Sequence, residues 1–216
     1  MKKKKIGIIG TGHIGSILAA EWAKVGHDVM ISSRHPDQLK TLIKELGPKV
    51  KIGTPEEAAK FGEIILLSIP FGEIPHLSKE VLNSLKGKIV MDTCNPFAER
   101  DSEIGIEALN SPKGSGVYTA RYLPGAKIVK AFNTIYSEVL KSQAHRQGDP
   151  IGVPLASDHE DALEIASMLV IDAGFGPLII GDLYRAKEFD NGTEVFGSGA
   201  SLNELKAKFG KKRKAA

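Results

Sequence analysis

The order of residues 6 to 15 constrains this chain more than any other feature. Ile6-Gly7-Ile8-Ile9 is a short apolar run, and Gly10-Thr11-Gly12-His13-Ile14-Gly15 follows without a break. Ile14 to Val25 then carries apolar residues at helical spacing, and Gly26 supplies the stop. Strand, glycine turn and helix in that order open a parallel α/β sheet. Each glycine has its own reason. Gly10 makes the tight turn, Gly12 leaves the backbone open to an approaching group, and Gly15 lets the helix lie close on the strand. The free N–H groups and positive dipole end of the helix attract an anion. The motif therefore predicts a dinucleotide pyrophosphate held by Gly10, Thr11, Gly12, His13, Ile14 and Gly15. The alternative is a turn that only packs strand on helix, and three glycines in this phase speak against it.

Asp28-Val29-Met30-Ile31-Ser32-Ser33-Arg34-His35 reads as the second strand and its following turn. A site for NAD ends this strand with Asp or Glu, which holds the ribose 2′-hydroxyl. No carboxylate stands there. Two hydroxyls and a guanidinium do, and Arg34 can fork onto a 2′-phosphate with Ser32 and Ser33 beside it. The expectation is NADP(H) rather than NAD(H), against the plainer reading of a solvated turn. His35 is either an adenine-stacking group or a surface histidine.

Apolar runs and helical patterns alternate down the chain. Strands are predicted at 6–9, 29–32, 50–52, 63–69, 88–93 and 127–132. Helices are predicted at 36–46, stopped by Gly47-Pro48, from Thr54-Pro55 onward, at 75–85 and at 136–143. Residues 97–116, rich in turn formers, read as loop with a helical stretch after them at 117–123. The fold class expected is α/β, a Rossmann-type doubly wound parallel sheet, with a small C-terminal α/β addition. The division is 1–146 for the NADP-binding unit, 147–190 for a smaller lobe and 191–216 for a glycine-rich arm and basic tail. In the lobe, 152–156 and 178–180 read as strands, and Asp158 as the cap of a helix over 160–173. The arm, with one helical stretch at 202–209, is expected either to settle only against a partner subunit or to fray.

Charge and cysteine content narrow the function classes. Eight of the 29 basic residues lie in Lys2–Lys5 and in Lys211, Lys212, Arg213 and Lys214. The rest are outnumbered by 26 acidic residues, so the body is mildly acidic and no nucleic acid is expected as partner. Cys94 is the single cysteine, which excludes an internal disulfide and fits a reducing cytoplasm. No apolar run is long enough to span a membrane. The six histidines are scattered without ligand spacing, so no metal is expected.

Ligands of such sheets lie beyond the carboxyl ends of the strands. Ser68-Ile69-Pro70, Thr93-Cys94-Asn95-Pro96 and Ala131-Phe132-Asn133-Thr134 close three successive strands there. Ile69 and Pro70 can wall a nicotinamide ring, and Asn95 can bind its carboxamide or ribose. Proline ends strands in any case, so simple termination is the alternative. Cys94 reads as a small buried filler rather than a nucleophile. No catalytic acid or base is identified, and hydride transfer to a second ring requires none.

With these motifs in this order, residues 5 to 190 resemble the family of NADP-dependent oxidoreductases typified by coenzyme F420-dependent NADP reductase. The resemblance also takes in Asp92-Thr93-Cys94-Asn95-Pro96, Val129-Lys130-Ala131-Phe132-Asn133-Thr134 and Asp172-Ala173-Gly174-Phe175. It implies NADP(H) held by Thr11 to Ile14, with Ser33 and Arg34 on the 2′-phosphate. It implies a nicotinamide near Ser68, Ile69 and Pro70, Asn95 and Pro96, and Ala131, with F420 or a flavin as the small-molecule redox acceptor. Related cytosolic modules of membrane ferric reductases use flavin. The chain departs from the family where Gly181-Asp182-Leu183, Ala186-Lys187 and Asp190 lead into glycine-rich sequence instead of an apolar helix, at the end that lines the second-substrate pocket in the family. A non-catalytic NADPH sensor and a reductase of a small carbonyl or imine are the alternatives. A homodimer is expected, because a small lobe rarely closes a cleft alone.

Overall fold

The computed structural model describes residues 3–47 and 49–214, the side chains of 211–214 excepted. Pro48 and Lys2 lie outside the described residues, as do the side chains of the second basic cluster. Six parallel strands come first: β1 (Lys5–Ile9), β2 (Asp28–Ser32), β3 (Val50–Gly53), β4 (Ile64–Leu67), β5 (Ile89–Asp92) and β6 (Lys127–Lys130). β7 (Gly152–Ala156) and β8 (Gly176–Gly181) extend the same sheet, whose order is β3-β2-β1-β4-β5-β6-β7-β8. β7 runs antiparallel to β6, and β8 pairs parallel to β7. The stretch expected as a smaller lobe supplies these two strands to the same sheet.

Helices cover both faces, which is why the central strands read as unbroken apolar runs. Along β4 the side chains alternate between two cores: Ile64 and Leu66 face one, Ile65 and Leu67 the other. The first core holds Trp22 of α1 (His13–Lys24), against Phe132 and with α8 (Glu160–Asp172) behind it. The Trp22 indole N–H donates to Leu169 O at 2.8 Å, so the large ring leaves no polar atom stranded. The second core lies under α3 (Pro55–Phe61), α4 (Lys79–Leu85), α5 (Ala98–Asn110) and α6 (Gly114–Tyr122). α2 (Lys40–Leu46) follows a single turn at Pro36–Leu39, and α7 (Ser137–Gln143) follows β6.

Four expectations are corrected. Residues 97–116 are largely helical rather than loop, as α5 and the start of α6. Their glycines serve close packing: a Cβ on Gly105 would lie 2.8 Å from the Asp101 side chain, and one on Gly116 would lie 2.9 Å from Leu183. Ser102, at φ 52°, interrupts α5 and breaks its periodicity. The helix expected over 75–85 is instead a single turn at Phe71–His76 followed by α4, because Ser78 caps α4 through the Val81 N–H. Asp158 does not cap α8. It accepts from Leu183 N at 2.9 Å, and Ser157 takes the His159 N–H. The C-terminal arm needs no partner to find its place. α9 (Leu202–Lys214) packs on β7 and β8 with Leu205 and Phe209 buried, over Gly152 and Gly176, where side chains would collide with Leu205 and Leu202.

A buried ion pair joins the ends of β5 and β6. Lys130 Nζ lies 3.0 Å from Asp92 Oδ2, with both side chains fully buried. The Thr119 hydroxyl (2.7 Å) and the Cys94 N–H (2.8 Å) also donate to Asp92, and Lys130 donates to Cys94 O. Burial opposes the charge on Lys130, yet Asp92, with Asp190 behind it, holds its pKa above the ordinary lysine value. Removing one partner of such a pair leaves an uncompensated buried charge. Lys130→Met is expected to lower unfolding free energy by about 3–5 kcal/mol in denaturant titrations. A loss under about 1 kcal/mol would show that the pair is not what holds these strand ends together.

Candidate functional site

The glycine turn is built by contacts that separate its three glycines. Gly10 has φ +98°, and a Cβ there would lie 2.2 Å from Ser68 O on the next strand. A Cβ on Gly15 would lie 2.2 Å from Gly10 O. These two glycines are consumed by packing of β1, β4 and α1. Gly12 is different: a Cβ there would meet nothing within 4 Å. The space it leaves is at the N-terminus of α1, which has no side-chain cap and no acid in its first turn. By contrast α3 has a full capping box from Thr54 and Glu57, and α4 is capped by Ser78. The N–H groups of α1 are thus left for a ligand. The Thr11 hydroxyl donates to Ser32 O and ties the turn to the end of β2.

Beside this turn lies a cavity of about 590 Å³. It brings together Gly10, Thr11 and Gly12 with Ser32, Ser33 and Arg34 and with Ser68, Ile69 and Pro70. Three separate stretches of sequence therefore meet in one space. Ser32 contributes little beyond backbone, since it is 1% exposed and its hydroxyl donates to Ile8 O at 2.7 Å. Ser33 accepts from His35 N through its hydroxyl oxygen, and its proton remains available to a ligand. Arg34 is 82% exposed.

His13, Ile14, Gly15, His35, Asn95, Pro96 and Ala131 are not among the residues lining this cavity. His13 and His35 are exposed, and Ile14 packs on the first core. Asn95 is partly buried and donates to Asn133 O at 2.8 Å, while Pro96 and Ala131 are buried. Sequence reasoning missed Gln38, Leu39, Glu56, Glu73, His76 and Ser78, which complete the wall. No carboxylate stands at the end of β2 in sequence, but one reaches it from elsewhere in the fold. Glu73 arrives from the turn after β4, and its Oε2 lies 3.5 Å from Arg34 Nη1. Nothing in the β2 sequence signals this, because the partner comes from another element.

Beyond Pro70 the ends of β5 and β6 are covered by the glycine-rich segment. Asn133 donates to Phe189 O (3.2 Å), Asn191 to Pro96 O (3.1 Å) and Gly197 N to Thr134 O (2.9 Å). Phe196 packs edge-on to both Phe97 and Tyr136. The Asn95, Pro96 and Ala131 region is thus roofed by the chain's own C-terminal segment. Phe132 holds φ 58°, a conformation rare for an aromatic residue, at this same strand end. Burial, with the Asp92 charge, pushes the Cys94 thiol well above its usual pKa, so it stays protonated and a poor nucleophile.

The known proteins that this chain is similar to match this architecture. The family model described as NADP oxidoreductase, coenzyme F420-dependent, matches residues 5–96, from β1 through the end of β5. Over the matched residues the chain is homologous to this F420-dependent NADP oxidoreductase family. The F420-dependent NADP reductase of Methanothermobacter marburgensis is 29% identical over 178 residues, covering 76% of this chain and 78% of that protein. Rat metalloreductase STEAP3 is 29% identical over 186 residues, covering 86% of this chain. This chain spans only 36% of the length of that metalloreductase. Among solved structures, protein SMa0349 from Sinorhizobium meliloti superposes with a TM-score of 0.75 at 26% identity, over 92% of this chain and 95% of that one. The chain has the α/β, Rossmann-like, mostly parallel sheet of these relatives and is similar to NAD(P)-binding oxidoreductases. No helix among the described residues is long and apolar enough to cross a membrane.

The glycine geometry predicts a separation that melting curves can read. Gly15→Ala is expected to cost about 2–4 kcal/mol, because its Cβ meets a backbone carbonyl that cannot move aside. Gly12→Ala at the helix N-cap is expected to cost less than about 1 kcal/mol. Equal losses at the two positions would contradict the assignment of Gly12 to ligand rather than packing.

Proposed function

We propose that this chain is an NADP(H)-dependent oxidoreductase that moves hydride between the nicotinamide and a deazaflavin or flavin acceptor. One observation carries the reading: the cavity unites the open space at Gly12, the donors of Ser33 and Arg34, and the apolar end of β4 at Ile69 and Pro70. The uncapped N–H groups of α1 suit the pyrophosphate, and Gly12 gives it room. Ser33 and Arg34 suit a 2′-phosphate, which takes paired charge-assisted hydrogen bonds. Ile69 and Pro70 close the cavity at the end of β4, and the ring would lie against them.

NADP(H) supplies the hydride when bound, and this chain's residues have a positioning task. Ile69 and Pro70 give an apolar wall that keeps water from one face of the ring. Ser68 lines the cavity at the end of β4, where polar groups of the nicotinamide arm need partners. The inert Cys94 and the absence of a free nucleophile in the motifs fit a reaction between two stacked rings, in which orientation and exclusion of water do most of the work. The deazaflavin acceptor is supported by the family match and by what the Methanothermobacter relative is named for. The roof formed by Phe196 and Tyr136 is where the acceptor would approach, and it is also where this chain departs from the family.

NADPH and NADH titrations, then nicotinamide absorbance with F420, FMN or FAD added, test this reading. Wild-type protein is expected to prefer NADPH and to oxidise it with one of these acceptors. Arg34→Ala is expected to weaken NADPH roughly 10- to 100-fold and leave NADH almost unchanged. Equal losses for both nucleotides would remove Arg34 from the 2′-phosphate. Selective binding without turnover by any acceptor would favour a sensor over an enzyme.

A further inference from the structure

Arg34 is already occupied. Its guanidinium and the Glu73 carboxylate, 3.5 Å apart, line the same cavity from two elements, one at the end of β2 and the other in the turn after Pro70. Both side chains are substantially exposed, at 82% and 45%. The pair therefore spans the cleft without being locked by packing. The second carboxylate of the cavity, Glu56, is held by the Ser78 hydroxyl at 2.7 Å, and this hydrogen bond lowers its pKa. Among the described residues the ion-pair partner of Glu73 is Arg34, so Glu73 is the carboxylate whose position depends on what Arg34 binds.

A phosphate arriving at Arg34 meets two opposing effects. It must displace the carboxylate, and it then stands beside that carboxylate with like charge. A ribose 2′-hydroxyl carries no charge and meets neither effect in full. We propose that Glu73 sets how strongly this site selects 2′-phosphorylated over unphosphorylated nucleotide, by holding Arg34 in the free protein and opposing the phosphate afterwards. This rests on the reading that the 2′-phosphate lands on Arg34. The consequence is a site tuned below the affinity that Arg34 alone would give. For a nucleotide that must be exchanged in every cycle, a competing carboxylate speeds departure. Because the pair is exposed, its effect is modest and screened by salt.

The test is a set of dissociation constants for NADPH and NADH, at low and at high salt, in wild type, Glu73→Gln, Arg34→Ala and the double variant. Glu73→Gln keeps the side-chain size and removes the charge. It is expected to tighten NADPH about 3- to 10-fold and to change NADH by less than about twofold. The gain is expected to shrink at high salt and to vanish in the Arg34→Ala background, which isolates the coupling between the two residues. Glu73→Ala is expected to shift NADPH in the same direction, which separates loss of charge from any contact made by the glutamine. Unchanged or weaker NADPH binding in Glu73→Gln, or an equal gain for NADH, would overturn the proposal. Failure of the underlying reading shows separately, as wild-type protein without NADPH preference and Arg34→Ala losing both nucleotides alike.

Discussion

The site depends on how closely three pieces of backbone approach one another at the end of β1. Gly10 O sits where a side chain on residue 15 would be, and Ser68 O sits where a side chain on residue 10 would be. That double approach draws α1 onto β1 and sets β4 beside the turn. It places the helix N-terminus next to the carboxyl end of the sheet, and it places Ile69 and Pro70 within the same cavity as Gly12. A side chain at either glycine would push these backbones apart, and the binding geometry would open with them.

A second constraint lies one strand further on. The Lys130–Asp92 pair is an expensive arrangement, since both charges leave water. Here the partners come from the strand ends, from α6 and from the segment above them: Cys94 O and N, Thr119, and by charge Asp190. Asp190 also takes the Ser115 N–H and hydroxyl, at 2.7 and 2.6 Å. The buried network thereby connects the β5 and β6 ends to the segment that roofs them. The strained Phe132 lies immediately after Lys130 and Ala131, wedged edge-on between Trp22 and Phe175. Packing on both sides of its ring holds a backbone conformation that an isolated chain would avoid.

Local patterns made much of this legible in sequence. The glycine spacing, the helix start at Thr54-Pro55 and the apolar runs all depend on neighbours a few residues away, and all appear where expected. Ser33 and Arg34 reach the cavity because the turn after β2 must end there. What failed was non-local. Glu73 meets Arg34 from an element 39 positions later, and Ser32 has its hydroxyl taken by β1. The glycines at 114 and 116 look like loop formers in one dimension, although they permit close contact with residues far along the chain. The glycine-rich segment after Asp190 lacks periodicity because single hydrogen bonds to Pro96 and Thr134 place it, not an apolar stripe. Lys130 and Asp92 stood inside recognised motifs, yet the pairing became visible only when their strands lay side by side.

Direct hydride transfer is the centre of this account. The measurement that meets it is the fate of deuterium placed at C4 of the nicotinamide in NADPH, followed with F420 as acceptor in ordinary water. Deuterium recovered in the reduced deazaflavin, with slower turnover from the labelled position, is the predicted result. NADPH bound selectively but never oxidised, or oxidised with the label lost to solvent, would contradict a site built to stack two rings and pass a hydride between them.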